Sequence, residues 1–372
     1  MKKLHIISFD IPYPANYGGV IDVYFKLKAL SELGVEITLH CFQYDGKKQS
    51  DELALICKNV YYYKRKKYLI NALGGLPYIV NSRANSELLN NLLKDDSPIL
   101  FEGLHSTFYI NKPKLKNRKK IVRTHNIEHD YYTNLADVES NIFKKYFLKV
   151  ESKKLEKYEK IVSNADLILA ISPNDKLHFD KKFQNVFYLP AFHPNTSVSS
   201  EIGKGDFAFY HGKLSVGEND QAAKYLIQEV FSNCNHKLII AGNNPSATLI
   251  KLVSQNKNVE LINNVTTLEI SDLIKRAHIN ILPTFQSTGI KLKLINALYQ
   301  GRFVIANNTM VKNTGLESLC SIANTKDEYL NLLNELFTQE FSFDEIEKRK
   351  KSLTENFDTK TNALKLNNLL FE

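Results

Sequence analysis

The sequence predicts an α/β protein made of two Rossmann-like, doubly wound parallel-sheet domains, and three observations lead there. The chain has 372 residues, more than one hydrophobic core usually organises. Short apolar runs recur along it, each separated from the next by a helix-length segment, which is the pattern of a parallel sheet. That alternation breaks once, between Pro190 and Gly205, into a stretch of Pro, Asn, Ser, Thr and Gly with the composition of a connector.

The first run, Leu4 to Ser8, follows two lysines, as a signal peptide would, but it stops at Asp10 and no small-residue cleavage site follows, so it reads as a strand. A Pro/Gly loop through Gly19 leads into an amphipathic stretch from Val20 to Leu33, closed by Gly34. Further strands are expected at Glu36 to Phe42, Asn59 to Tyr63, Ile99 to Glu102, Lys120 to Thr124, Leu167 to Ile171 and Val186 to Leu189. One long surface helix fits Asn141 to Asn164. Beyond the connector, strands restart at Phe207 to His211, Lys237 to Ala241, Val259 to Ile262, Ile279 to Leu282 and Phe303 to Ala306, and a final helix runs from Thr359 to Phe371. The expected division is a first domain over 1–190, a linker over 191–205 and a second domain over 206–354, with the helix in 355–372 completing the first.

Composition narrows the function classes. With 43% hydrophobic and 24% charged residues the chain is a folded protein throughout. No apolar stretch approaches the roughly 20 residues of a membrane-spanning helix. Cys41, Cys57, Cys234 and Cys320 lack metal or disulfide spacing and read as structural thiols in a reducing, cytoplasmic setting. The net charge of +9 is concentrated at Lys64 to Lys67 and Lys112 to Lys120. Nucleic acid is set aside because no recognition motif accompanies the charge. An anionic membrane surface suits it better, since Tyr61 to Ile70 interleaves aromatic and basic side chains; the plain alternative is a buried strand with solvated lysines at its exit.

Parallel sheets bind ligands beyond the carboxyl ends of their strands, so the loops there hold the candidates. Gly18 and Gly19, after the first strand, permit close backbone approach to a phosphate or sugar, or simply make a turn. The loop His211-Gly212-Lys213-Leu214-Ser215 enters a helix, and Lys213 is placed to meet a diphosphate. A full charge at 4 Å is worth about 4 kcal/mol at an effective dielectric near 20, against about half a charge from a helix N-terminus. A third loop, Pro283 to Lys293, brings Lys291 and Lys293 beside another helix start with no acidic neighbour through Arg302. In the first domain Arg123, His125, Asn126 and Glu128 cluster at one strand tip and Glu102 and His105 at the preceding one, which describes a substrate pocket. The His and Glu spacings there lack a helical setting and a third ligand, so no metal is expected.

Together these loops resemble retaining glycosyltransferases of the GT-B fold, in the large family 4 or group 1 class. The Gly18-Gly19 loop is similar to that family's glycine-rich donor loop, Arg123 to Glu128 to its histidine-containing strand end, and Gly212-Lys213-Leu214-Ser215 to its diphosphate loop. Gly289 to Gly301 resembles its most specific motif, except that Thr288 and Asn296 fill the two glutamate positions and Glu218 and Asn219 follow where a second cation is usual. The resemblance implies two domains facing a cleft and metal-free transfer of a hexose from a UDP- or GDP-sugar, with retention, to a glycan or lipid-linked acceptor in surface polysaccharide or glycoconjugate synthesis. No cofactor is needed. It implies His125, Lys213 and Lys291 as the catalytic residues, with Gly18, Gly19, Gly212, Thr288, Gly289, Ile290 and Asn296 on the donor, Asn296 at the ribose. Glu102, His105, Arg123, Asn126 and Glu128 would line the acceptor and sugar pocket. A sugar-nucleotide epimerase of the same fold and a non-catalytic nucleotide-sugar binder remain as alternatives.

Overall fold

In a computed structural model, residues 2–43, 46–66, 74–285 and 291–372 are described. The chain divides into two compact units, the first formed by Met1–Pro194 with Phe357–Glu372 and the second by Asn195–Ser287 with Lys291–Asn356.

The first unit holds a seven-stranded sheet: β1 (Lys3–Ser8), β2 (Glu36–Gln43), β3 (Asn59–Lys64), β4 (Ile99–Glu102), β5 (Lys120–Thr124), β6 (Leu167–Ala170) and β7 (Val186–Tyr188), in the order β3-β2-β1-β4-β5-β6-β7. All its pairings are parallel. The strands are apolar on both faces because helices cover both. Along the chain these are α1 (Gly18–Glu32), α2 (Asp51–Ile56), α3 (Ser86–Leu92), α4 (Glu128–Val138), α5 (Ile142–Tyr158) and α6 (Pro173–Asp180). The second unit repeats the plan with β8 (Phe207–His211), β9 (Lys237–Ala241), β10 (Val259–Ile262), β11 (Ile279–Leu282), β12 (Phe303–Ala306) and β13 (Ser321–Ile322), ordered β10-β9-β8-β11-β12-β13. Its helices include α7 (Gly217–Tyr225), α8 (Ala247–Ser254), α9 (Thr267–Arg276), α10 (Leu292–Gln300), α11 (Lys326–Leu336) and α12 (Phe343–Phe357). The two Rossmann-like sheets expected from the sequence are both present.

Two details differ from the sequence reading, and a third decides between the alternatives it left open for Tyr61 to Tyr63. The long helix after Asn141 stops as an α-helix at Tyr158 and continues as a 3-10 helix over Glu159–Asn164. The start of the expected linker is packed: Ala191, Phe192 and His193 are buried, and the Phe192 amide donates to Asp22 Oδ1 at 2.8 Å. Its Asn, Ser, Thr and Gly composition concealed one large aromatic that serves the core. Tyr61, Tyr62 and Tyr63 belong to edge strand β3, Tyr63 buried and Tyr62 packed on the core beneath α1, so this half of the basic-aromatic segment is sheet; Lys67 to Ile70 lie outside the described residues.

The last helix, α13 (Thr359–Phe371), is capped by Asp358, whose Oδ2 accepts from the Thr361 amide at 2.7 Å. It belongs to the first unit. Ala363, Leu366 and Leu370 complete the core made by Val23, Leu27 and Leu30 of α1. All four cysteines are free thiols, and burial pushes Cys57 and Cys320 up to about 12, which keeps them unreactive.

Candidate active site

Each sheet reverses its direction of winding once, between β1 and β4 in the first unit and between β8 and β11 in the second. The crevice at the carboxyl end of such a switch point is where an open parallel sheet takes its ligand.

In the first unit Phe9 follows β1, Glu102 ends β4 and His125 follows β5. The Phe9 ring meets His125 edge-on at 5.1 Å between centroids and lies 5.3 Å from His105. Gly19 is required for this arrangement, because a Cβ there would stand 2.7 Å from Phe9 Cζ. Gly18 is the first residue of α1.

Beneath His125 lies a fully buried ionic network. Lys26 Nζ donates to Asp22 Oδ2 at 2.9 Å and to Glu102 Oε1 at 2.7 Å. Arg123 Nη2 donates to Asp22 Oδ1 at 3.1 Å and to the Pro190 carbonyl at 3.0 Å, and its Nη1 to the Leu189 carbonyl. His125 Nε2 donates to Glu102 Oε2 at 2.8 Å. Two carboxylates face the Lys26 ammonium and the Arg123 guanidinium, the pairing of opposite charges that a buried ionic group requires. Arg123 and Lys26 hold the Asp22 carboxyl far below the usual range against the opposing effect of burial.

This geometry corrects two sequence expectations. Arg123 does not line a pocket; its guanidinium is consumed by Asp22 and two carbonyls. Glu102 is likewise enclosed, with its oxygens taken by Lys26 and His125, so it positions the imidazole rather than touching a ligand. Asp22 and Lys26 were missed, although an i,i+4 pair of opposite charges beside the apolar face of α1 was the available signal. His125 Nδ1, by contrast, is buried with no hydrogen-bond partner among the described residues. An open buried polar atom costs about 1–3 kcal/mol, and a ligand hydroxyl would recover it.

Glu128, the first residue of α4, is also buried, and His105 Nδ1 lies 3.7 Å from its Oε1. Burial, then the nearby Asp175, push its carboxyl up to about 8, while Asn126 works against the shift through a side-chain hydrogen bond. Burial also holds His105 neutral. A carboxyl with a raised folded pKa stays protonated in the fold after the unfolded chain has lost the proton, so stability falls with rising pH between the two values. The melting temperature of the wild type should therefore decline between about pH 5 and pH 8, and that of Glu128→Gln should decline less. Equal slopes would show that Glu128 is already ionised.

In the second unit, β8 ends at His211 and Gly212 turns the chain toward α7. A Cβ on Gly212 would stand 2.8 Å from Lys293 Nζ and 2.9 Å from Asn219 Cγ, and one on Gly242 would collide with the Gly212 carbonyl. The loop therefore passes directly over the Lys293 ammonium, which donates to Asn219 Oδ1 at 2.5 Å and lies 4.9 Å from the Tyr210 ring centroid. Burial lowers Lys293 to about 8, with Lys291 adding to the effect and Glu218 opposing it. Burial and Lys293 hold His211 near 3, neutral at working pH. Lys213 is exposed on the loop.

Lys291 occupies the cap position of α10. The strand tip of β11 is fixed by Asn307, which accepts from the Thr284 amide at 3.2 Å and donates to its carbonyl at 2.7 Å; Thr284 Oγ1 in turn donates to Glu218 Oε1. Asn296 Oδ1 accepts from Asn195 Nδ2 at 2.9 Å. Thr288, Gly289 and Ile290 lie outside the described residues. The sequence reading set both lysines beside this helix start and gave the catalytic role to Lys291, whereas the Gly212 turn lies over Lys293.

Among the described residues, two groups offer metal-ligand types within 4.8 Å of one another, Asp22 with Glu102 and His125, and Glu159 with His129 and His178. In the first, Lys26 Nζ already stands between the carboxylates, and in the second Lys182 Nζ lies 2.7 Å from Glu159 Oε1.

Residues 207–337 match the family model described as Glycosyl transferases group 1, which spans β8 through α11 and so contains Gly212, Lys213, Lys291 and Lys293. A relative described as an uncharacterized 44.6 kDa protein in cps region, from Klebsiella pneumoniae, is 29% identical over 354 residues, covering 89% of each chain. Among solved structures, TarM superposes with a TM-score of 0.70 at 14% identity over 100% of this chain and 99% of its own. HepE of Anabaena, solved with UDP-glucose, gives 0.66 at 11% identity over 100% and 99%. An α,α-trehalose-phosphate synthase from Burkholderia xenovorans gives 0.64 at 10% identity over 100% of both chains. The chain thus has the GT-B fold, and its second unit carries the match to the group 1 glycosyl transferases.

Proposed function

We propose that this protein is a glycosyltransferase that moves a hexose from a UDP- or GDP-sugar to a glycan or lipid-linked acceptor, with retention, in surface polysaccharide or glycoconjugate synthesis at the inner face of a membrane. The observation that carries the reading is the Lys293 ammonium held directly under the Gly212 turn, at the switch point of the sheet that matches the group 1 family. The relative from a cps region and HepE, solved with UDP-glucose, support the same substrate class.

When the bond from the anomeric carbon to the diphosphate breaks, negative charge arrives on the diphosphate, so a cation fixed beforehand stabilises the transition state more than the ground state. Lys293 is such a cation, with Lys213 and Lys291 on the same two loops. His125 offers Nδ1 to a sugar hydroxyl, oriented through Nε2 by Glu102. These charges come from the protein, and the reaction so built needs neither metal nor cofactor.

A thermal-shift screen of UDP, GDP and their hexoses, with and without EDTA, tests this. The expected result is a shift with one nucleotide that EDTA leaves unchanged; no shift with any nucleotide would refute the reading. A second reading, donor binding without transfer, draws on Asn296, which stands at a usual glutamate position with its carbonyl already engaged by Asn195. It predicts a shift but no glycosylated product.

A further inference from the structure

We infer that the N-terminal half of α5 is a docking face for an anionic bilayer surface. Single exposed apolar residues are ordinary on any protein. Here five fall within one stretch: Val138, just before the helix, then Ile142, Phe143, Tyr146 and Phe147. Ile142, Phe143 and Tyr146 are 73%, 83% and 72% exposed, close to their exposure in an unfolded chain. A contiguous apolar patch of this kind marks an interaction site.

The helical period gives the patch its shape. Positions 142 and 146, 143 and 147, and 143 and 146 share one arc, while Lys145 and Lys149 border it on one side and Lys144 on the other. No acidic residue occurs from Ile142 to Val150. The first carboxylate of the helix, Glu151, is buried and accepts from Lys154 Nζ at 3.0 Å and from the Tyr78 amide at 2.5 Å. Apolar side chains flanked by long cationic ones suit the boundary between acyl chains and anionic headgroups, where lysine stems lie along apolar surface and their ammonium groups reach the phosphates.

Two further observations favour this occupant. The opposite face of α5 is fastened down: Leu155 is buried, and Ser152 Oγ donates to the His129 carbonyl at 2.8 Å, so the exposed arc is not a helix awaiting its own core. The basic segment that follows β3 reaches the same place. The Arg65 guanidinium lies 5.7 Å from the Tyr78 ring centroid, and that ring meets Phe147 edge-on at 6.3 Å, which sets Arg65 beside the helix. A second copy docked on this face would bring lysine against lysine, whereas an anionic bilayer complements them.

The inference deepens the reading of a lipid-linked acceptor and is tested apart from it. Wild-type protein is floated with phosphatidylcholine vesicles and with vesicles containing about a third phosphatidylglycerol, alongside Ile142→Glu/Phe143→Glu/Tyr146→Glu and Lys144→Ala/Lys145→Ala/Lys149→Ala variants. The expected outcome is strong flotation of the wild type with the anionic vesicles only, and a loss of about tenfold or more in each variant. Both variants should keep the wild-type melting temperature and nucleotide-induced shift, which separates failure of docking from failure of the donor site. Absence of wild-type flotation, or undiminished flotation of the apolar variant, would overturn the inference. So would a lipid-free wild-type dimer that the apolar variant breaks, since the face would then cover a second copy.

Discussion

Replacing Lys293 with methionine is expected to lower kcat/KM for the nucleotide sugar by about two orders of magnitude, the scale of losing one preorganised charge donor from a water-poor site. Methionine keeps the length and the packing over Tyr210 while removing the charge. The ammonium lies close to the only space a Cβ on Gly212 would occupy, so a surface lysine such as Lys213 has no comparable fixed position from which to replace it. Isothermal titration of the nucleoside diphosphate separates binding from chemistry. If the cation acts more on the leaving group than on the bound donor, kcat falls further than affinity.

The pH dependence gives an independent check. Burial lowers Lys293 from the usual lysine range to about 8, so the group begins to lose its charge near that pH. Nucleotide affinity of the wild type should weaken as the pH rises through about 8, while Lys293→Met should show a flat profile there. Wild-type affinity in the variant would move the diphosphate site away from the Gly212 turn.

Asp22→Ala is expected to destabilise the first unit by about 3–5 kcal/mol, the cost of breaking a buried ion network by removing one partner. Asp22 receives Lys26, Arg123 and the Phe192 amide at once. Its loss leaves two buried cations facing Glu102 alone, a net positive charge with no counterion. Against a typical total of about 5–15 kcal/mol, this is a large share. Urea denaturation followed by first-unit tyrosine signals should show the midpoint fall, and Asp22→Asn should fall less because its carbonyl can still accept from Phe192.

The sign with pH is fixed by the depressed carboxyl. A group whose folded pKa lies below its unfolded value of 3.8 contributes stability above that value and loses it only as the pH drops further. The difference in stability between wild type and Asp22→Ala should thus be constant at neutral pH and shrink only in strong acid.

The strand positions were legible because strands buried on both faces read as uninterrupted apolar runs. Ile99–Glu102, Lys120–Thr124 and Phe207–His211 were located to the residue for that reason. β13 was not, since two residues at a sheet edge leave no pattern. The candidate site was harder. Arg123 carries a charge on a strand whose five residues are all buried, and such a charge must be matched from elsewhere in the fold. Its partner Asp22 is 101 residues away, beyond any local signal. Lys293 was obscured differently. It sits between Leu292 and Leu294, both buried, so its helix is embedded and its ammonium is drawn inward; the sequence presented two equivalent lysines, and only packing distinguishes them.

The placement of α13 has a consequence for how the chain is made. Its Ala363, Leu366 and Leu370 finish the core of the first sheet, yet the ribosome delivers them only after every residue of the second unit. The second sheet can close during synthesis, whereas Val23, Leu27 and Leu30 stay uncovered until the final turns emerge. A nascent chain halted short of Ala363 would present an open apolar seam, the form of the protein that chaperones and proteases should find first.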